Sequence, residues 1–369
     1  MGKPRVFIVL PTFSPRDAVG NDALGMWQSL RAAGYDARIY ATWIEPPYQR
    51  HAKKLDPNDR SLWSSPADIL IYHHAIYWET GELLLARAKN KIAIKYHNVT
   101  PPEFFKRYSE HHYAACMRGQ EATRRMARHP EAWFWGDSRF NISELLEYGA
   151  ADNRCRVVPP FHRIEEELAQ APFDSVITGD NRQSAFNFLF VGGIRPNKGH
   201  IQAVDVFAAH RLISGAPSRL TFAGTFDNTM RRYADDVRAH AEQHGVSENV
   251  RFHFSVTPSQ LRAYYLTGTV FLCTSAHEGF CVPLVEAMYF RVPIVAWANT
   301  AIGETCADAG ILLPHFDTMK MAELIEEHLD NSTTMRLLTE RARARYESEF
   351  QPQVIARRFL RLVEEIERN

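Results

Sequence analysis

The chain is poor in cysteine and has none at metal-binding spacing. Cys116, Cys155, Cys273, Cys281 and Cys306 are odd in number and include no CxxC pair. Neither a disulfide framework nor a zinc ribbon is expected, and free thiols fit a reducing compartment. Apolar runs such as VFIVL (residues 6–10) are strand length, far short of a bilayer span. The opening MGKPRVFIVLPTF lacks the apolar core and cleavage site of a signal peptide, because Pro11 interrupts it. A soluble, cytoplasmic protein is the expectation. Charge of one sign is also lacking: Lys plus Arg and Asp plus Glu number 43 each, so no global field recruits nucleic acid. No GxGxxG opens either half, which sets a plain dinucleotide oxidoreductase far down. No DxD triplet follows a strand, Asp235 and Asp236 lying in a helical pattern, and no His/Cys cluster has ligand spacing. No metal and no other cofactor is expected.

What is present is an alternation of strand-like and helix-like runs. Residues 6–10, 37–41, 67–74 and 91–98 read as strands, with a helix pattern after the first closed by Gly34. Strand, helix, strand in this order argues for a parallel sheet covered on both faces. The pattern stops near VVPPF (157–161), and a fresh series of strands opens at residues 186–193, 219–224, 249–254, 269–275 and 292–297. Between them, HIQAVDVFAAHRLI repeats Ile201, Val204, Ala208 and Leu212 at helical spacing. The 369 residues suit two domains. The expected division is a first Rossmann-like domain over 1–165, a linker over 166–185 and a second domain over 186–348. An amphipathic helix over 349–369 crosses back toward the first. In open α/β sheets, ligands bind beyond the carboxyl ends of the strands.

The segment SAHEGFCVPLVEAM (275–288) is such a place. Pro283 suits a first helical position, and the amides near Cys281, Val282 and Leu284 would be the orphan donors of a helix start, a site for a diphosphate. Glu286 can accept from the paired hydroxyls of a ribose, and Glu278 from those of a sugar beyond the phosphates. Gly279 lets that sugar approach the backbone. The spacing fits a nucleotide-sugar. The bland alternative is that both glutamates complement a helix N-terminus.

HEGFCVPLVEAM followed by RVPIVAWANTAIGETCADAGIL resembles the signature of family 4 retaining glycosyltransferases, whose GT-B fold sets two Rossmann-like domains facing each other. FVGGIRPNKGH, DAVGND and YHNVTPPEFF continue the resemblance in family order. The last two are similar to a bacterial surface-polysaccharide, mannosyltransferase-like subgroup. The resemblance implies a nucleotide-sugar donor, GDP-mannose by preference, and a glycan or lipid-linked acceptor. It places Glu278 on the sugar and Glu286 on the ribose, with Gly279, Phe280 and Cys281 lining sugar and phosphate. Lys198 neutralises the leaving diphosphate, and His97 stands near sugar and acceptor. Gly20 lets its loop pass the diphosphate, while Asp22 and Asn98 are acceptor-side candidates. Helix capping is the plainer role for Asn21 or Asp22, as it is for Ser138, and core packing is the plainer role for the Phe280 ring.

The chain departs from the family pattern at Gly193, where an arginine is usual. Arg195, two positions on, is expected to replace it; otherwise a cation is missing, or Arg16 supplies it. Arg118, Arg125 and Arg128 present a basic helical face, either merely solvated or docking on anionic lipid. For a retaining transferase the resemblance implies a front-face route, with charge stabilisation as the main contribution. Three rivals stand beside it: a UDP-sugar-dependent enzyme or another GT-B class such as an epimerase or phosphorylase, a nucleotide-sugar-binding protein without transferase activity, and the oxidoreductase.

Overall fold

The computed structural model describes residues 3–15, 17–182, 184, 186–329 and 331–368; Arg16 lies outside them. Two compact units emerge. The first comprises Met1–Pro102, His111–His162 and Glu349–Asn369, and the second Glu103–Glu110 and Arg163–Ser348.

The first unit is built on a seven-stranded sheet in the order β3-β2-β1-β4-β5-β6-β7. These strands are β1 (Arg5–Phe13), β2 (Asp36–Ile44), β3 (Ala52–Lys54), β4 (Ile69–His74), β5 (Lys91–Tyr96), β6 (Trp133–Gly136) and β7 (Cys155–Val157). All their pairings are parallel. The central strands β1 and β4 are buried on both faces over Val6–Leu10 and Ile69–Tyr72, which is why those stretches read as apolar runs. The chain order reverses direction between β1 and β4, a topological switch point.

The second unit repeats the plan with six parallel strands in the order β10-β9-β8-β11-β12-β13. They are β8 (Phe186–Val191), β9 (Ser218–Gly224), β10 (Val250–Phe254), β11 (Val270–Cys273), β12 (Ile294–Trp297) and β13 (Ile311–Leu313). The switch point here lies between β8 and β11.

Three expectations need correction. Residues 166–185 do not form a free linker: they carry the helix Ser175–Asn181 and belong to the second unit. Asn181 donates to Thr267 Oγ1 at 2.8 Å and accepts from Asn187 Nδ2 at 2.9 Å, so side-chain hydrogen bonds hold this polar stretch down. Residues 103–110, expected in the first domain, also belong to the second unit. Tyr108 packs edge-on to Tyr233 with centroids 5.1 Å apart, and Arg107 pairs with Asp236 at 3.1 Å. In the helix His200–Ser214 the buried face runs through Ala203, Val204, Phe207 and Ala208, whereas Leu212 is 88% exposed. The apolar spacing pointed one register too far along the helix.

The helix Pro352–Arg368 closes the first unit. Ile355, Phe359, Val363 and Ile366 fall on one face and are buried among the strands of β1 and β2 and the helix Ala18–Ala32. Phe359 meets Trp135 and Phe161 edge-on at 5.8 and 6.0 Å. Lys91 Nζ donates to the carbonyls of Ile366 and Glu367, satisfying acceptors at the helix end. Four such apolar side chains contribute, at most, roughly 1.5–3 kcal/mol each. Among the described residues no helix is long and apolar enough to cross a membrane.

Candidate functional site

In the second unit the loops leaving β8 and β11 flank the switch point and are tied to each other. The backbone carbonyl of Asn197 accepts from the amides of Ala276 and His277 at 2.8 and 3.2 Å, and its side-chain Nδ2 donates to the His277 carbonyl at 3.1 Å. Thr274 Oγ1 donates to the Gly199 carbonyl at 2.7 Å. Gly199 has φ 77°, and a Cβ there would fall on the Thr274 carbonyl, so only glycine permits this approach. The result is that Lys198 is held against Glu278. Its Nζ donates to both carboxylate oxygens, at 2.8 and 2.7 Å. The two side chains are 25% and 9% exposed. Burial opposes the charge on Lys198, but the Glu278 carboxylate outweighs it and raises the lysine above its ordinary value. Glu278 is fixed from behind, its amide donating to Thr300 Oγ1 at 3.0 Å.

The helix Val282–Phe290 starts one residue before Pro283, with Cys281 as N-cap in the left-handed region at φ 74°. Pro283 is thus the second helical residue. Gly279, partly exposed, leads into this turn. Leu284 is fully buried and its amide donates to the Cys281 carbonyl at 3.1 Å, so it belongs to the core and not to the list of open donors. Phe280 is buried too, its carbonyl accepting from Thr305 Oγ1 at 2.7 Å. Cys273 and burial together push the Cys281 thiol well up, so Cys281 is a neutral thiol. Glu286 accepts from the buried Tyr265 hydroxyl at 2.6 Å, and desolvation raises its carboxyl to about 7. The helix start therefore has Glu278 on its entry loop and Glu286 in its first turns.

Arg195 is exposed, and Gly193 is partly so. A Cβ on residue 193 would lie 2.8 Å from Thr225 Oγ1 and 4.0 Å from Arg195 Nε. The arginine thus occupies the neighbourhood where a longer side chain at 193 would begin.

A second polar cluster lies at the carboxyl ends of β1, β4 and β5 in the first unit. His97 Nδ1 is 2.9 Å from Asp137 Oδ2, and its Nε2 is 2.8 Å from His73 Nδ1, with the two rings stacked at 5.1 Å. In the tautomer whose Nδ1–H donates to the Asp137 carboxylate, His97 Nε2 is the atom that accepts from His73 Nδ1–H. Lys95, fully buried, donates to the Val158 carbonyl at 2.6 Å and is ion-paired with Asp137. Burial would raise the Asp137 carboxyl, but His97 and Lys95 outweigh it and lower it. Asp22 is also buried: Oδ1 accepts from the Phe161 amide at 2.8 Å, while Oδ2 has no hydrogen-bond partner. Desolvation raises Asp22 to about 6. Asp22 Oδ2 lies 3.7 Å from His97 Nε2 and 3.9 Å from His73 Nδ1, so the three could close on a cation, although Lys95 Nζ already stands 4.0 Å away.

Helix capping here falls to Asp17, whose side chain accepts from the Gly20 amide, and not to Asn21 or Asp22. Asn21 instead accepts from Tyr48. Gly20 sits inside that helix, where a Cβ would strike the Ser14 carbonyl. Asn98, at φ 74°, donates to Glu144 at 2.9 Å and is buried. Ser138 does cap its helix, accepting from the Asn141 amide. The basic helical face is partly neutralised: Arg125 pairs with Glu82 and Glu121, and Arg118 lies over the Tyr77 ring. His73, Asp137, Lys95 and Asn197 escaped the sequence reading. HH at the end of a strand and the unassigned asparagine of RPNKGH were the available signals.

Residues 179–345 match the family of glycosyl transferases group 1. The chain is 29% identical over 209 residues to the D-inositol 3-phosphate glycosyltransferase of Acidothermus cellulolyticus, covering 53% of this chain and 44% of that one. It is 28% identical over 194 residues to an uncharacterized 41.2 kDa protein in the cps region of Klebsiella pneumoniae, covering 52% and 50%. Over 115 residues it is 29% identical to the O-antigen chain mannosyltransferase B of Escherichia coli, covering 31% and 30%. These matches span half or less of each relative. Among solved structures, a sucrose-phosphate synthase from Thermosynechococcus elongatus superposes with a TM-score of 0.77 at 16% identity, covering 99% of both chains. HepE of Anabaena, solved with UDP and glucose, does so at 0.75 and 13%, covering 98% and 100%. WaaG, a glycosyltransferase involved in lipopolysaccharide biosynthesis, gives 0.72 and 16%, covering 96% and 98%. At such identities the likeness is one of fold. The second unit thus carries a match to the glycosyl transferases group 1 family, and the chain's two Rossmann-like parallel sheets share the fold of these GT-B structures.

Proposed function

We propose that the protein is a retaining, metal-independent hexosyltransferase that moves mannose from GDP-mannose to a glycan or lipid-linked glycan acceptor in polysaccharide assembly. The observation that carries this reading is the Lys198–Glu278 pair set beside the helix start at Cys281, with Glu286 one turn on. A diphosphate at that helix start meets a dipole and a partly buried lysine, where charge is worth more than in bulk water. As the glycosidic bond breaks, Lys198 and Arg195 would receive the charge gained by the departing phosphate, the task a metal performs elsewhere. Glu278 would accept from sugar hydroxyls and Glu286 from the ribose. The phosphate oxygen would take the acceptor's proton. His97, its tautomer set by Asp137, would hold an oxygen of sugar or acceptor.

Mannose is supported by the mannosyltransferase relative and by the motifs of the first half. A UDP-sugar is the second reading, favoured by the likeness to HepE, which was solved with UDP and glucose. Thermal stabilisation by a panel of nucleoside diphosphates and their sugars tests the proposal. GDP and GDP-mannose should raise the melting temperature, and Lys198→Met should abolish the rise. A preference for UDP would retire the mannose assignment; a response to no nucleotide would retire the site.

A further inference from the structure

Outside the candidate donor site, the second unit carries another histidine–carboxylate cluster. His240 lies in the last turn of the helix Arg231–Gln243 and His244 is its C-cap, so the two rings share one helix face. Their centroids are 4.6 Å apart. Asp205, from the helix His200–Ser214, reaches both: its Oδ1 is 2.6 Å from His240 Nε2 and 3.3 Å from His244 Nε2. All three donor atoms lie within 4.8 Å of one another. We propose that Asp205, His240 and His244 bind a divalent transition metal of the zinc class, which cross-links the two helices.

Three features support this. The donor set, two imidazoles and one carboxylate, is the kind that borderline metals select, and hard cations such as magnesium would favour oxygen alone. The separations fit: bonds of about 2.0–2.1 Å in a tetrahedral site put donors about 3.3–3.4 Å apart. His244 and Asp205 stand at that spacing already, and His240 must withdraw by less than about 1 Å. The side chains are also accessible, with 24%, 41% and 26% of their surfaces exposed for His240, His244 and Asp205. A metal can enter, three ligands come from protein, and a fourth position remains for water. The Asp22–His73–His97 group is less suited, because Lys95 already brings positive charge to Asp22 and the two histidines bond to each other. The rival account of the Asp205 cluster is a pair of imidazoles bonded to an acid. It asks both Nε2 atoms to donate to the same carboxylate oxygen.

The test is isothermal titration of zinc chloride into the chelator-stripped full chain near neutral pH. Site formation predicts one equivalent bound and a higher melting temperature in zinc. His244→Gln and Asp205→Asn should each weaken affinity at least tenfold and abolish the thermal shift, while the response to nucleoside diphosphate is unchanged. Circular dichroism confirms that the variants fold; His244 is exposed enough for the change to be tolerated. Cobalt substitution adds a direct readout, since a tetrahedral nitrogen–oxygen site gives intense visible bands that both variants should lose. No zinc binding, or binding equal in wild type and both variants, as the buried histidine pair or the cysteines would give, overturns the assignment.

Discussion

Replacing Glu286 by glutamine should stabilise the protein and cripple it at once. Desolvation holds this carboxyl at about 7 in the folded chain, against the ordinary 4.5. A folded-state pKa above the unfolded one means that the unfolded chain gives up its proton first as pH rises. Stability is therefore present in full below the ordinary value and is lost as pH climbs through 4.5 toward about 7. A shift of this size corresponds to about 3 kcal/mol, of which about 2–3 kcal/mol disappears between about pH 5 and about pH 8. Glutamine stays neutral, and its amide oxygen can still accept from Tyr265. The melting temperatures of wild type and Glu286→Gln should nearly coincide at about pH 5. By about pH 8 the variant should lead by several degrees, at about 2–4 °C per kcal/mol for a unit this large. Donor affinity should move the other way, because an amide cannot replace a carboxylate that accepts from two ribose hydroxyls. Calorimetry across pH, paired with nucleotide titration, reads both quantities. A melting-temperature gap that does not change with pH would refute the reasoning, since Glu286 would then be ionised throughout.

Other outcomes follow from the same geometry. Lys198→Met should destabilise the second unit by about 1–3 kcal/mol in urea unfolding, because it strands the nearly buried Glu278 carboxylate. Arg195→Ala should weaken diphosphate binding at least tenfold, about 1.4 kcal/mol, if its guanidinium replaces the arginine absent at Gly193. Unchanged affinity would remove it from the site. Asp137→Ala should cost the first unit about 3–5 kcal/mol, since Lys95 would remain buried with its partner carboxylate gone. Asp137→Asn, which keeps an acceptor for His97, should cost less.

The central strands were legible in the sequence because burial on both faces makes them apolar runs, as in residues 6–10 and 188–191. The three-residue edge strands AKK, CRV and ILL were not, since so few residues carry no period and their pairing is set by neighbours far along the chain. In the candidate site, Lys198 and Glu278 came from motif resemblance, and the structure brings them into contact. What joins them was hidden: Asn197 acts through hydrogen bonds to a loop about 80 residues away, which no local pattern encodes. Leu284 misled for the opposite reason, since a helix-start position promised a free amide that a tight turn consumes. His240 and His244 stood in plain view as HAEQH, but Asp205 joins them only through tertiary packing.

The helix Pro352–Arg368 completes the core around β1, although some three hundred residues of synthesis separate the two. On the ribosome, the earliest strands must wait with part of their apolar surface uncovered until that last amphipathic segment emerges. The middle of the chain, residues 163–348, has no such debt and can collapse first. For the strands around β1, the order of synthesis and the order of burial are thus inverted, because their apolar face is completed only by a helix made more than three hundred residues later.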